Sequence, residues 1–142
     1  KGYSLAGLRF GYGIATQQLI EPMLTKTKDS YNLDLLSQEI AAAAIEDQLS
    51  AKVSWELVIK ERDRLQTALE ALGMPSPPSQ TNFLLATTPV DAEQIYRELK
   101  DRQILVRYFA SPKLKDKLRI SVGKSVENDR LLIAIREILD NS

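Results

Sequence analysis

The sequence has 142 residues, enough for one ordinary domain with a genuine core, or one and a half small ones. Its 44% apolar and 27% charged residues are the balance of a globular chain and set aside a disordered one. Nineteen Lys and Arg match nineteen Asp and Glu, so no net field draws the chain to nucleic acid or to an anionic membrane.

The absences narrow the chemistry further. Without Cys there is no disulfide, no thiolate nucleophile and no Cys-based zinc site. Without His the commonest general base and the commonest metal ligand are gone, and no metal site is expected. Lys, Arg, carboxylates, Tyr and hydroxyls remain, an inventory suited to anion binding and amine chemistry. No basic-then-apolar leader and no apolar run of spanning length is seen, so a cytoplasmic protein without a membrane partner is expected. The chain opens on Lys1 and stops two residues past a helical pattern, and so reads as part of a longer protein.

Residues 5–14 alternate. Ala6, Leu8, Phe10, Tyr12 and Ile14 share one parity, and Leu5, Gly7, Arg9, Gly11 and Gly13 share the other. The pattern predicts a strand with one packed apolar face and one nearly bare face. Arg9 on that bare face has two readings: a guanidinium in solvent on a glycine-weakened strand, or one around which small neighbours clear space for a bulky anion. Residues 16–28 have weak helical spacing, with Pro22 better suited to a helix start than to an interior. Residues 33–47 predict a helix with Leu36, Ile40, Ala43 and Ala44 on its packed side. A longer helix over residues 50–72 carries the stripe Ala51, Trp55, Val58, Arg62, Leu65, Leu69 and Leu72. Gly73 caps it, and Pro75, Pro77 and Pro78 prevent its resumption.

Beyond this linker the elements shorten. Strands are predicted over residues 82–86, 104–109 and 118–122, and helices over 91–102 and 127–139, with Ser125 as the N-cap of the last. Three strands and two helices after a long helix give a compact α+β subdomain.

Two arginines stand out by context. Arg107 interrupts an apolar run and shares parity with Leu105 and Phe109, which predicts partly buried surroundings and a need for a partner. Arg119 is anchored between Leu118 and Ile120, and a guanidinium fixed on a strand suits bidentate capture of carboxylate or phosphate. Lys113, Lys115 and Lys117 alternate and read as a solvated, lysine-protected edge strand. Pattern alone therefore yields positioned cations and an anion-binding capacity, without a reaction.

The string Lys1-Gly2-Tyr3-Ser4-Leu5-Ala6-Gly7-Leu8-Arg9-Phe10-Gly11-Tyr12 resembles the active-site segment of fold-type I, pyridoxal-phosphate-dependent aminotransferases. Tyr31-Asn32-Leu33, Lys60-Glu61-Arg62-Asp63-Arg64-Leu65 and Ser79-Gln80-Thr81-Asn82-Phe83-Leu84-Leu85 resemble later segments of the histidinol-phosphate aminotransferase branch. Ile104-Leu105-Val106-Arg107-Tyr108-Phe109 and Leu118-Arg119-Ile120-Ser121-Val122-Gly123 complete the series in order.

The resemblance implies an α/β parent of the pyridoxal-phosphate transferase type. This chain would hold the end of the large cofactor domain (residues 1–49) and a small C-terminal α+β domain (residues 50–142). It implies that Lys1 bonds the cofactor and moves the substrate proton, that Arg9 binds the cofactor phosphate, and that Arg107 and Arg119 receive the substrate's anionic end. Tyr31 and Asn32 would lie near the active site or a dimer interface. Asn82 is a further candidate, its alternative role being an amide that satisfies backbone groups at a strand end. The implied parent is a homodimer acting on small molecules, a phosphorylated amino alcohol or ketone and glutamate or 2-oxoglutarate. The family's Asp partner of the pyridine nitrogen, its stacking aromatic ring and its glycine-rich phosphate loop are not among these residues, so the fragment is expected to be inactive alone. A threonine-phosphate-decarboxylase-like enzyme is the neighbouring alternative. A noncatalytic dimerisation module using residues 41–44 and the Trp55 stripe is the alternative from another class.

Overall fold

The computed structural model describes residues 2–31 and 33–141, and the chain divides into two compact units, Lys1–Trp55 and Glu56–Ser142. The division falls inside one long helix, α3 (Gln48–Ala71).

The first unit is helical. A single 3-10 turn (Ala6–Leu8) precedes α1 (Gln17–Pro22), which continues as a π-turn (Met23–Thr27), and then come α2 (Leu35–Glu46) and the first turns of α3. The strand expected over residues 5–14 is not formed. Among the described residues no strand runs beside this segment, and a lone strand would leave its N–H and C=O groups without ladder partners. The apolar parity set is correspondingly unpacked, with Tyr12 73% and Ile14 91% exposed. Pro22 ends α1 rather than starting it, and a π-turn follows, with the Met23 N–H bonding the Ile20 carbonyl.

In α2 the expected packed side is also displaced. Leu36 is exposed, while Ser37 and Ala41 are buried. Asp34 sets this phase: its carboxylate accepts from the Ser37 N–H at 2.8 Å and from the Ser37 hydroxyl at 2.7 Å, which caps the helix and lowers the Asp34 pKa. Asp47 separates two helices in one residue. Its N–H closes α2 on the Ala43 carbonyl, and its carboxylate accepts the Ser50 N–H at 3.1 Å in the first turn of α3. Trp55 ties α3 to the start of the chain through an indole N–H donated to the Gly2 carbonyl at 2.7 Å and an edge contact with the Tyr3 ring.

The second unit is α+β, as the sequence pattern predicts. An antiparallel sheet of order β1-β3-β2 is formed by β1 (Phe83–Thr87), β2 (Arg107–Tyr108) and β3 (Lys117–Ser121). The later part of α3, α4 (Ala92–Asp101) and α5 (Ser125–Asp140) supply the rest of one core. Alternation sends Leu84, Ala86, Leu118 and Ile120 into that core against Leu65, Leu69, Ile95, Leu99 and Ile135, all essentially without exposure. The opposite sheet face carries Phe83, Leu85, Arg119 and Arg107.

The end of α3 explains the linker. Gly73 adopts φ +76°, its N–H bonds the Glu70 carbonyl, and the Met74 N–H reaches the Leu69 carbonyl at 2.9 Å. This is a Schellman closure, with Met74 and Leu69 both buried beside it. At the other end of the unit, Lys124 rather than Ser125 is the N-cap of α5: its backbone is extended, Ser125 is already helical, and the Ser125 hydroxyl is donated to Glu61.

Candidate functional site

The open sheet face gathers the two sequence-predicted substrate arginines. Register places Arg107 directly opposite Arg119, with Leu85 on the other side of Arg119. Burial of Leu118 and Ile120 on either side of Arg119 fixes its backbone and turns its side chain outward. The Arg119 Cζ lies 5.4 Å from the Phe83 ring centroid and 5.9 Å from that of Phe109. The Arg107 Cζ lies 5.5 Å from the same Phe109 ring.

Arg107 is exposed, which corrects its expected partial burial. β2 is only two residues long and sits at the sheet edge, so the half-buried position falls to its neighbour Tyr108. That ring stacks on Tyr96 at 6.1 Å, and burial pushes its hydroxyl pKa up. Among the described residues no carboxylate forms an ion pair with Arg107 or Arg119. The expected lysine edge strand is absent as well: residues 112–116 form turns, and Lys117 belongs to the central strand, paired with Asp116 at 2.8 Å.

Asn82 precedes β1, where its backbone carbonyl accepts the Val122 N–H at 2.9 Å. Arg9 and Tyr31 belong to the first unit. Arg9 closes the 3-10 turn in the left-handed region (φ 56°), a conformation costing a non-glycine residue about 1–2 kcal/mol. Its guanidinium is exposed and makes one long hydrogen bond, 3.4 Å, to the Ala6 carbonyl. Open space surrounds Gly7, Gly11 and Gly13. Tyr31 is 86% exposed. Lys1 and Asn32 lie outside the described residues.

Sequence reasoning passed over one cluster. Glu61 is buried in the second unit, where it accepts from Arg64 at 2.8 Å, from the Asn128 amide at 2.8 Å and from the Ser125 hydroxyl at 2.9 Å. These donors, Arg64 foremost, hold its pKa at about 2. Arg64 also pairs with Asp129 at 2.7 Å, and the two carboxylates raise its own pKa. Asn128 in turn grips Gly123, accepting its N–H and donating to its carbonyl, both at 3.0 Å. The network thus joins α3 and α5 to the segment that leaves β3, the strand bearing Arg119. Glu61 and Arg64 lie in the Lys60–Leu65 segment of the resemblance, which does not announce the burial of the carboxylate.

Residues 1–135 match the family described as aminotransferase class I and II. The chain belongs to that family. It is 47% identical over 140 residues to the histidinol-phosphate aminotransferase of Microcystis aeruginosa, covering 98% of this chain and 40% of that protein. Histidinol-phosphate aminotransferase 1 of a Nostoc species is 45% identical over 142 residues, again with 40% of its length covered. The chain therefore spans about two fifths of the curated relatives it matches. Among solved structures, the histidinol-phosphate aminotransferase from Sinorhizobium meliloti in complex with pyridoxal-5'-phosphate superposes with a TM-score of 0.84 at 28% identity, over 99% of this chain and 39% of that one. The histidinol-phosphate aminotransferase from Clostridium acetobutylicum, at 22% identity and TM-score 0.87 over 100% of this chain and 44% of that one, shares the fold. Among the described residues, no helix is long and apolar enough to cross a membrane.

Proposed function

We propose that the protein to which this chain belongs is a pyridoxal-phosphate-dependent aminotransferase that moves an amino group between glutamate and a histidinol-phosphate-type substrate. The observation that carries the substrate assignment is the Arg107–Arg119 pair, two arginines directly opposite in strand register with no carboxylate partner among the described residues. Such a pair suits the phosphate of one substrate and the carboxylate of the other, because both present oxygens to a guanidinium fork. The relatives' names support the branch.

Pyridoxal phosphate, when bound, supplies the electron-withdrawing ring that makes the bonds at the substrate's amino carbon labile. The described donors fit its phosphate: Arg9 is exposed and, among the described residues, its guanidinium makes only the 3.4 Å bond to the Ala6 carbonyl. In this reading Lys1 holds the cofactor through its side-chain amine, then takes and returns the proton at the substrate carbon. Arg9 binds the cofactor phosphate, and Arg107 and Arg119 orient the substrate by its anion. Tyr31, Asn32 and Asn82 are further candidate residues in this reading. Residues 1–49 are assigned to the large cofactor domain and 50–142 to the small domain of a cytoplasmic homodimer. A dimerisation module built on residues 41–44 and the Trp55 stripe has less support, since Ala41 is 2% exposed and the Trp55 indole is already bonded to the Gly2 carbonyl.

The test is the glutamate half-reaction followed by cofactor absorbance. The intact protein converts the cofactor to its amine form on adding glutamate, whereas the 142-residue chain alone shows no appreciable conversion. Intact protein that releases carbon dioxide from a phosphorylated amino acid, and does not take nitrogen from glutamate, would overturn the assignment in favour of a decarboxylase.

A further inference from the structure

Bringing Arg107 and Arg119 together has a cost, because like charges directly opposite on neighbouring strands repel. Acids could relieve it, yet among the described residues neither guanidinium has an ion pair. Aromatic rings do the holding instead. Phe109 lies within 5.5 Å of the Arg107 Cζ and 5.9 Å of the Arg119 Cζ, while Phe83 reaches Arg119 at 5.4 Å. Both distances to Phe109 fall inside the range over which a ring's negative face attracts a cation.

The difference between a ring and a carboxylate is chemical. A carboxylate would neutralise the pair and occupy its N–H donors, whereas a π face attracts the cation and takes no donor. We propose that Phe109 is a positioning residue of the anion site, gathering both guanidinium groups at one ring while leaving their charge and donors available to a phosphate dianion. The inference rests on the reading of Arg107 and Arg119 as the substrate-anion site. Phe109 faces both arginines and Phe83 only one, so the two rings differ in consequence. A dianion that engages both guanidinium groups depends on Phe109, and a monoanion satisfied by one depends on it less.

Inorganic phosphate and acetate are titrated separately into the full 142-residue chain, and the Arg Nε–Hε resonances are followed by NMR. Phe109→Leu is expected to weaken phosphate binding about three- to tenfold and acetate binding less than about twofold, with Phe109→Tyr restoring phosphate affinity. Phosphate binding equal to wild type in Phe109→Leu, alongside loss of binding in Arg119→Ala, would overturn the role of Phe109 and leave the arginine reading intact. Wild-type phosphate affinity in Arg119→Ala would overturn the arginine reading itself. Should Phe109→Leu fail to fold, the wild-type spectrum decides: upfield ring-current shifts of both arginines' side-chain protons support the inference, and random-coil shifts overturn it.

Discussion

Asn128 is the side chain on which the end of β3 most depends, and its removal gives a magnitude that can be worked from the structure. It is 2% exposed and makes three hydrogen bonds, two to the backbone of half-buried Gly123 and one to Glu61. Asn128→Ala strands the Gly123 N–H and C=O, at about 1–2 kcal/mol each, giving about 3 kcal/mol before any effect on Glu61 is counted. For a unit of this size that lowers the melting midpoint by more than about 10 °C, read by circular dichroism or calorimetry. Asn128→Asp keeps the shape and the acceptor for Gly123 but points a second carboxylate at Glu61. Two facing carboxylates cannot both stay ionised at low cost, so the new group's folded pKa is raised and the variant gains stability as pH falls from 7 toward 5. An Asn128→Ala midpoint within 2 °C of wild type, a limit about one fifth of the expected shift, would refute the reasoning. So would an Asn128→Asp variant with the wild-type pH profile.

The Glu61 carboxylate makes a related prediction with the opposite sign. Its folded pKa of about 2 lies below the ordinary 4.5, so its stabilising contribution is present above pH 4.5 and lost as pH falls toward 2. Urea midpoints measured across that window should fall with pH in the wild type and flatten in Glu61→Gln; identical slopes would contradict the assignment. Gly73→Ala forces a side chain to φ +76° and should cost about 1–2 kcal/mol. Gly7→Ala, in open space and without a left-handed backbone, should stay within about 0.5 kcal/mol by the same thermal assay.

How far the sequence could be read varied between the two units, for reasons that particular residues make plain. In the second unit Leu84, Leu118 and Ile120 alternate with outward neighbours and find their partners within the unit, so local pattern and observed burial agree. The second-unit part of the α3 stripe, Arg62, Leu65 and Leu69, is buried for the same reason, and Gly73 stopped the helix where its left-handed φ permits. In the first unit the pattern of Leu8, Phe10, Tyr12 and Ile14 describes a strand that needs a neighbouring strand, and the described residues supply none. Periodicity also misplaced Leu36, because the Asp34 cap on Ser37 sets the helix phase. For the site, the motif resemblance picked out Arg107 and Arg119, but neither their cross-strand pairing nor Phe109 beneath both could be read, since each depends on register. The burial of Glu61 escaped because its donors, Ser125 and Asn128, lie more than sixty positions away.

The proposed anion-binding role of Arg107 and Arg119 is tested most directly by steady-state kinetics of the intact protein carrying Arg119→Ala. A charge-assisted contact made to both substrates predicts a KM raised about tenfold or more for glutamate and for the phosphorylated partner alike. Unchanged KM values for both substrates would contradict it.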